Sequence, residues 1–181
     1  MFSSLLSLCE SETDVAVRDR AVLLLLARLG LRAGEVAALE IEHLRWTEGE
    51  LVVVPGKTGR ERLLPLSDEV GHTLVAYLRR RPQSEDRRVF LCVLAPHRPL
   101  ASGSISSIAG RYLHRMGLPT GYCGAHVLRH TAATQMVRRG ASFKQVADVL
   151  GHARLETTAI YAKLDLQTLS KLALPFPGGE P

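Results

Sequence analysis

The sequence predicts an α+β fold, mainly helical, with a small antiparallel β-sheet (a hairpin) on one edge. Three observations carry this expectation. Val15 to Leu29 is apolar almost throughout and stops at Gly30, where a left-handed residue would close a buried helix. Leu51 to Val54 and Arg62 to Leu66 are short apolar runs on either side of a glycine-containing segment, the pattern of a hairpin. From Gly103 onward the chain reads as a series of helices, punctuated by Gly140 and by a capping box at Ser142.

In order, a short helix is expected over Ala33 to Leu39 after the Gly30 stop. The hairpin follows, with Lys57 at its tip. Ser67 offers an N-cap for a helix running to about Arg80. Arg81 to Arg88 reads as a polar loop and Val89 to Leu94 as a third strand. Helices are expected over Gly103 to Met116 and over Ala125 to Arg139, the second ended by Gly140. Ser142, with Gln145 three residues on, opens another helix to Leu150. A segment around Thr157 to Ala162 and a last helix near Leu166 to Leu172 complete the series. The Pro/Gly-rich stretch from Pro175 to Pro181 is expected to fray.

At 181 residues the chain can bury a proper core, and one domain is the default reading. Its 46% hydrophobic content with mixed charge excludes a disordered chain. The formal net charge of +5 favours an anionic partner without specifying one. Cys9, Cys92 and Cys123 are odd in number, widely spaced and free of any CxxC pair, so neither a zinc knuckle nor a disulfide framework is expected. The Leu23 to Leu26 run lies between Arg20 and Arg28 and is far too short to cross a bilayer. A soluble, cytoplasmic protein with no membrane partner is the expectation.

The chemistry-bearing residues fall in separate stretches. Arg32 and Glu35 lie in Gly30-Leu31-Arg32-Ala33-Gly34-Glu35-Val36, and Lys57 lies in Pro55-Gly56-Lys57-Thr58-Gly59. His126-Val127-Leu128-Arg129-His130 places His126 and Arg129 on one helical face. Leu150-Gly151-His152 follows, and Tyr161 stands nine residues after His152. His126 and His130, four apart, have metal-ligand spacing, but Val127 occupies the place where a zinc protease carries glutamate, and no metal is expected. Ser142 to Lys163 has a rival explanation as a DNA-binding helix-turn-helix, in which Tyr161 would be an ordinary packed aromatic.

The whole set suits strand transfer on DNA. A phosphodiester under attack gains negative charge on its non-bridging oxygens, and arginine offers paired donors that stay charged at any working pH. Preorganised donors of this kind are usually the largest single contribution to such catalysis. A tyrosine hydroxyl is a poor nucleophile near neutrality unless its proton is accepted, and His126 is the candidate base. Lys57 could protonate the leaving 5′ oxygen, His152 could hydrogen-bond a phosphate oxygen, and Glu35 could orient Arg32.

These motifs resemble the tyrosine recombinase or phage integrase family, specifically its catalytic domain, from about Arg18 to Leu174. The resemblance rests on Gly30-Leu31-Arg32 with Glu35, on Gly56-Lys57-Thr58-Gly59-Arg60 with Leu64-Pro65-Leu66, on His126 to Thr131, on Leu150-Gly151-His152 and on Tyr161. It implies a tyrosine recombinase catalytic-domain-like fold. It also implies a site-specific recombinase whose Tyr161 forms a 3′-phosphotyrosyl link, with Arg32, Lys57, His126, Arg129 and His152 as the other catalytic positions and Glu35 and His130 in support.

No cofactor is implied, because the link conserves the bond energy. The implied partner is double-stranded DNA, bound by a homo-tetramer that docks its C-terminal helix, here Leu166 to Leu172, onto a neighbour. Association with the bacterial nucleoid would follow. The chain is expected to be a single catalytic domain over 1–181, with residues 1–14 as a lead, 175–181 as a flexible tail, and the family's N-terminal DNA-clamping domain absent. A type IB topoisomerase-like enzyme and a DNA-binding remnant or regulator without catalysis stand as alternatives.

Overall fold

A computed structural model describes residues 2–9, 11–54, 61–119 and 123–151. The expected features at Lys57, His152, Thr157 to Ala162, Leu166 to Leu172 and the Pro175 to Pro181 tail lie outside these residues.

The organising element is a central helix, α2 (Asp14–Arg28), opened by Thr13, whose hydroxyl accepts from the Ala16 amide at 3.3 Å. Val22 to Leu26 are fully buried, which is what a helix apolar on every side must achieve. Leu29 ends the helix, and Gly30 turns the chain with φ 64°, as the glycine stop requires. Helix α3 (Ala33–Ala38) and a 3₁₀ turn (Ile41–His43) lead into the sheet.

The sheet has three antiparallel strands in the order β1 (Leu44–Arg45), β2 (Glu50–Val53), β3 (Arg62–Pro65). β2 and β3 form the expected hairpin, with Leu51 opposite Leu64 and Val53 opposite Arg62, and β1 adds Leu44 opposite Leu51. The expected third strand at Val89 to Leu94 is not part of this sheet. Among the described residues its only bridge is the isolated Leu91–Pro99, with Glu40–Arg88 one residue before it. The physical reason is Tyr77. Its ring stacks on Phe90 with centroids 5.3 Å apart, and its hydroxyl accepts from the Leu91 amide at 3.1 Å. Val89 to Leu91 are therefore buried against a helix instead of being paired in this sheet, while Leu94 is 81% exposed.

That helix is α4 (Asp68–Leu78), which packs on α2. It begins after Ser67 as expected, without a capping bond from the Ser67 side chain, and stops before Arg80. Then come α5 (Ser102–Arg115), α6 (Ala125–Arg138) and α7 (Phe143–Leu150). Ser142 and Gln145 make both bonds of the capping box, at 2.8 and 3.2 Å. Helices α5 and α6 pack on α2 and on each other, and α7 packs on α6 through Ala133, Val146 and Leu150. Burying side chains like these last two contributes roughly 1.5–3 kcal/mol each. That packing fixes the end of α7, where the candidate site lies.

One further difference concerns the N-terminal residues, expected as a lead. Phe2–Ser7 forms a helix, α1, and Leu5, Leu6 and Cys9 are buried in the main core. With six residues and no capping residue it has little helix signal of its own, and its order comes from that burial. Among the described residues no helix is long and apolar enough to cross a membrane.

Candidate active site

Gly30 and Gly151 build the floor of the site. Gly30 has φ 64°, and a Cβ placed on it would stand 2.5 Å from Cδ2 of Leu150. The end of α7 is thus seated directly on the turn that follows α2. Gly151 caps α7 in the left-handed conformation, with φ 65°. Three carbonyl groups at this end, those of Val149, Leu150 and Gly151, are available as acceptors.

Three arginines from distant stretches supply the donors. Arg129 on α6 donates to the carbonyls of Gly30 at 2.6 Å and Leu150 at 2.7 Å. Arg32, just before α3, donates to Leu150 at 3.4 Å and to Gly151 at 3.2 Å. Arg62, the first residue of β3, donates from Nε to Val149 at 2.8 Å. Arg32 and Arg129 therefore share the Leu150 carbonyl, one residue from Gly151 and two from His152.

Glu35 lies among these cations with its side chain only 5% exposed. Oε2 accepts from the Arg32 amide at 2.8 Å and from Nη2 of Arg62 at 2.8 Å. Oε1 accepts from Nη1 of Arg32 at 2.8 Å and from Nη1 of Arg62 at 3.1 Å, and Nη1 of Arg129 stands 3.9 Å from Oε2. Burial alone pushes this carboxyl up. Hydrogen bonds from Arg62 and from the Arg32 backbone, with the Arg62 charge, outweigh it and hold Glu35 below the usual carboxylate range. Glu35 is accordingly a fixed anion that orients Arg32.

His126 stands apart, exposed on the first turn of α6, and makes no hydrogen bond to the arginine cluster among the described residues. His130 is one turn further on. Burial, then the nearby His126 and Arg129 charges, push its imidazole toward the neutral form. The structure thus brings together Arg32, Glu35 and Arg129, with His126 and His130 on the same helix as Arg129. Lys57, His152 and Tyr161 lie outside the described residues. No group of three or more His, Cys, Asp or Glu side chains among the described residues is placed to hold a metal ion.

Arg62 is the residue that the motif reading missed. Its signal is weak: a single cation opening an apolar run, recognisable only once the fold sets it against Glu35. Arg80, Arg81, Arg87 and Arg88, away from this cluster, have partners within the chain. Arg80 pairs with Glu12, Arg87 with Glu42 and Arg88 with Glu40, while Arg81 donates to the carbonyls of Asp86, Arg88 and Val89.

A family model described as the phage integrase family matches residues 2–168. An integrase/recombinase candidate of Sinorhizobium fredii, y4rA, is 46% identical over 97% of this chain and 43% of its own length. The tyrosine recombinase XerD of Xanthomonas campestris is 35% identical over 92% of this chain and 55% of its own. Among solved structures, XerH site-specific recombinase bound to a palindromic difH substrate in a post-cleavage complex superposes with a TM-score of 0.76 at 25% identity. That superposition covers 94% of this chain and 50% of the other. The chain thus spans about half the length of these relatives.

Proposed function

The chain belongs to the phage integrase family, and on that premise we propose that it forms the strand-transfer centre of a site-specific DNA recombinase. The observation that carries the reading is the meeting of Arg32 and Arg129 at the Leu150 carbonyl, beside His152 in the sequence. Two guanidiniums 118 and 21 residues from Leu150 in the sequence converge on one edge of the fold. Arg32 is 46% exposed there, open to an incoming anion. A rival helix-turn-helix reading of this segment gives no reason for the end of α7 to be ringed by three arginines.

In the proposed reaction the scissile phosphate of double-stranded DNA sits against Arg32 and Arg129, which balance the charge growing on its non-bridging oxygens. The Tyr161 phenolic oxygen attacks phosphorus and its proton passes to His126. The bond from phosphorus to the 5′ oxygen breaks, and Lys57 gives that oxygen a proton. A 3′-phosphotyrosyl link and a free 5′-hydroxyl result. Attack of a partner's 5′-hydroxyl on the link reverses the step, so no cofactor or external energy source enters. His152 donates to a phosphate oxygen, Glu35 keeps Arg32 in its plane, and His130, the next residue along α6, supports Arg129. The active assembly on DNA is proposed to be a homo-tetramer docked through Leu166 to Leu172.

A DNA substrate nicked so that cleavage traps the protein tests this reading. Wild type is expected to give a gel-stable covalent adduct, and Tyr161→Phe and Arg129→Ala to give none. DNA binding without an adduct from wild type would favour a binding remnant instead.

A further inference from the structure

Arg62 stands behind the Arg32–Arg129 pair. Its guanidinium meets the Glu35 carboxylate fork to fork at 3.1 and 2.8 Å, and its side chain is 9% exposed against 46% for Arg32. One arginine thus faces the interior of the cluster, and the other faces solvent.

This arrangement has an electrostatic side. Glu35 lies within ion-pair distance of Arg32 at 2.8 Å and of Arg129 at 3.9 Å. Arg62 matches the carboxylate charge with a cation that does not reach the open face, leaving the charge of the exposed Arg32 for an anion, while Arg129, 10% exposed, adds its charge from inside the cluster. Without Arg62, Glu35 would neutralise one of that pair. It has a geometric side as well. Arg62 holds the Val149 carbonyl at 2.8 Å, and its Nη1 lies 2.6 Å from where a Cβ on Gly151 would stand. The side chain fills the space beside the turn that leads into His152, and it ties that turn to β3, the strand after the segment that carries Lys57.

We infer that Arg62 is a positioning residue for a phosphate held at Arg32: it matches the charge of Glu35 and fixes the 149–151 turn, so that the exposed Arg32 guanidinium remains available to the anion, with the buried Arg129 charge behind it. The inference rests on the strand-transfer reading.

Its test compares wild type, Arg62→Lys, Arg62→Met and the double variant Arg62→Met with Glu35→Gln, each checked for folding by thermal melting. Two quantities are read: adduct formation at saturating nicked DNA, and the affinity for orthophosphate followed by NMR of arginine side-chain N–H signals. Arg62→Met is expected to slow adduct formation by about fiftyfold and to weaken orthophosphate by about fivefold. The double variant, with the unmatched carboxylate gone, is expected to regain at least about fivefold in rate over Arg62→Met. A merely structural role gives the opposite order, since the double variant has lost more native hydrogen bonds.

Arg62→Lys keeps the charge without the fork, and serves where Arg62→Met does not fold. It should cleave about tenfold more slowly than wild type. Wild-type cleavage by Arg62→Lys or Arg62→Met, or a double variant no better than the single, overturns the inference. If wild type makes no adduct but binds orthophosphate in an Arg62-dependent way, the strand-transfer reading fails and the positioning role stands. Loss of both, with wild type binding no orthophosphate, removes both.

Discussion

The Arg129 guanidinium donates to the carbonyl oxygen of Gly30 at 2.6 Å, joining residues 99 apart in the sequence. This bond ties the turn after α2 to the helix carrying His126, and the Leu150 side chain packs against the same glycine. Gly30→Ala would put a methyl group 2.5 Å from Leu150 Cδ2 on a backbone at φ 64°. The left-handed conformation and the overpacking together should cost about 2–4 kcal/mol. Urea unfolding measures the loss, and adduct formation should fall with it because the Leu150 carbonyl moves. Near wild-type stability would mean that the glycine is not the seat of α7.

Acid sensitivity follows from Glu35. Its folded value lies below the ordinary 4.5, so the unfolded chain takes up the proton first as pH falls. The stability from this carboxylate is complete above the ordinary value and is lost as pH drops through 4.5 toward the folded value. Glu35→Gln should therefore be less stable than wild type at pH 7 and show a flatter loss of unfolding free energy below about pH 5. Equal acid slopes for the two proteins would contradict the ionised, arginine-bound state.

His130 has the opposite chemistry and the same direction of pH dependence. Burial first, then the His126 and Arg129 charges, hold its folded value below 6.5, so the unfolded chain binds a proton that the folded one refuses. Stability linked to His130 is present above 6.5 and declines as pH falls below it. The imidazole C–H signal of His130 should titrate below 6.5 by NMR, and His130→Asn should remove part of the decline between about pH 5 and 7.

Asp19 supplies a control remote from the chemistry. It is fully buried, bonded to Arg18 at 3.0 and 2.8 Å and to Arg111 at 2.7 Å. Asp19→Ala leaves a buried cation without its partner and should cost about 3–5 kcal/mol in urea unfolding. Below the melting temperature, adduct formed per folded molecule should match wild type. A selective loss of cleavage would mean that this network reaches the site.

Features set by neighbouring residues were legible before the fold was known. The Ser142–Gln145 box and the Gly30 stop are local, and each depends on residues within a few positions. The strand Leu44–Arg45 was not legible, because two residues carry no periodicity and only their pairing with Leu51 and Glu50 defines them. Val89 to Leu91 has a strand's composition, yet stacking on Tyr77 decides its place. At the site, motif spacing singled out Arg32, Glu35 and Arg129, which the fold brings together. Arg62 escaped because its partners, Glu35 and Val149, lie 27 and 87 residues away.

The closeness of Arg62 to Gly151 has a consequence for how such sequences can diverge. A side chain at 151 would displace the guanidinium, and a shorter residue at 62 would leave the carboxylate at 35 to be matched by Arg32 and Arg129. Substitutions at 35, 62 and 151 should therefore be accepted together or not at all, so that across related chains the three positions drift as one inherited block.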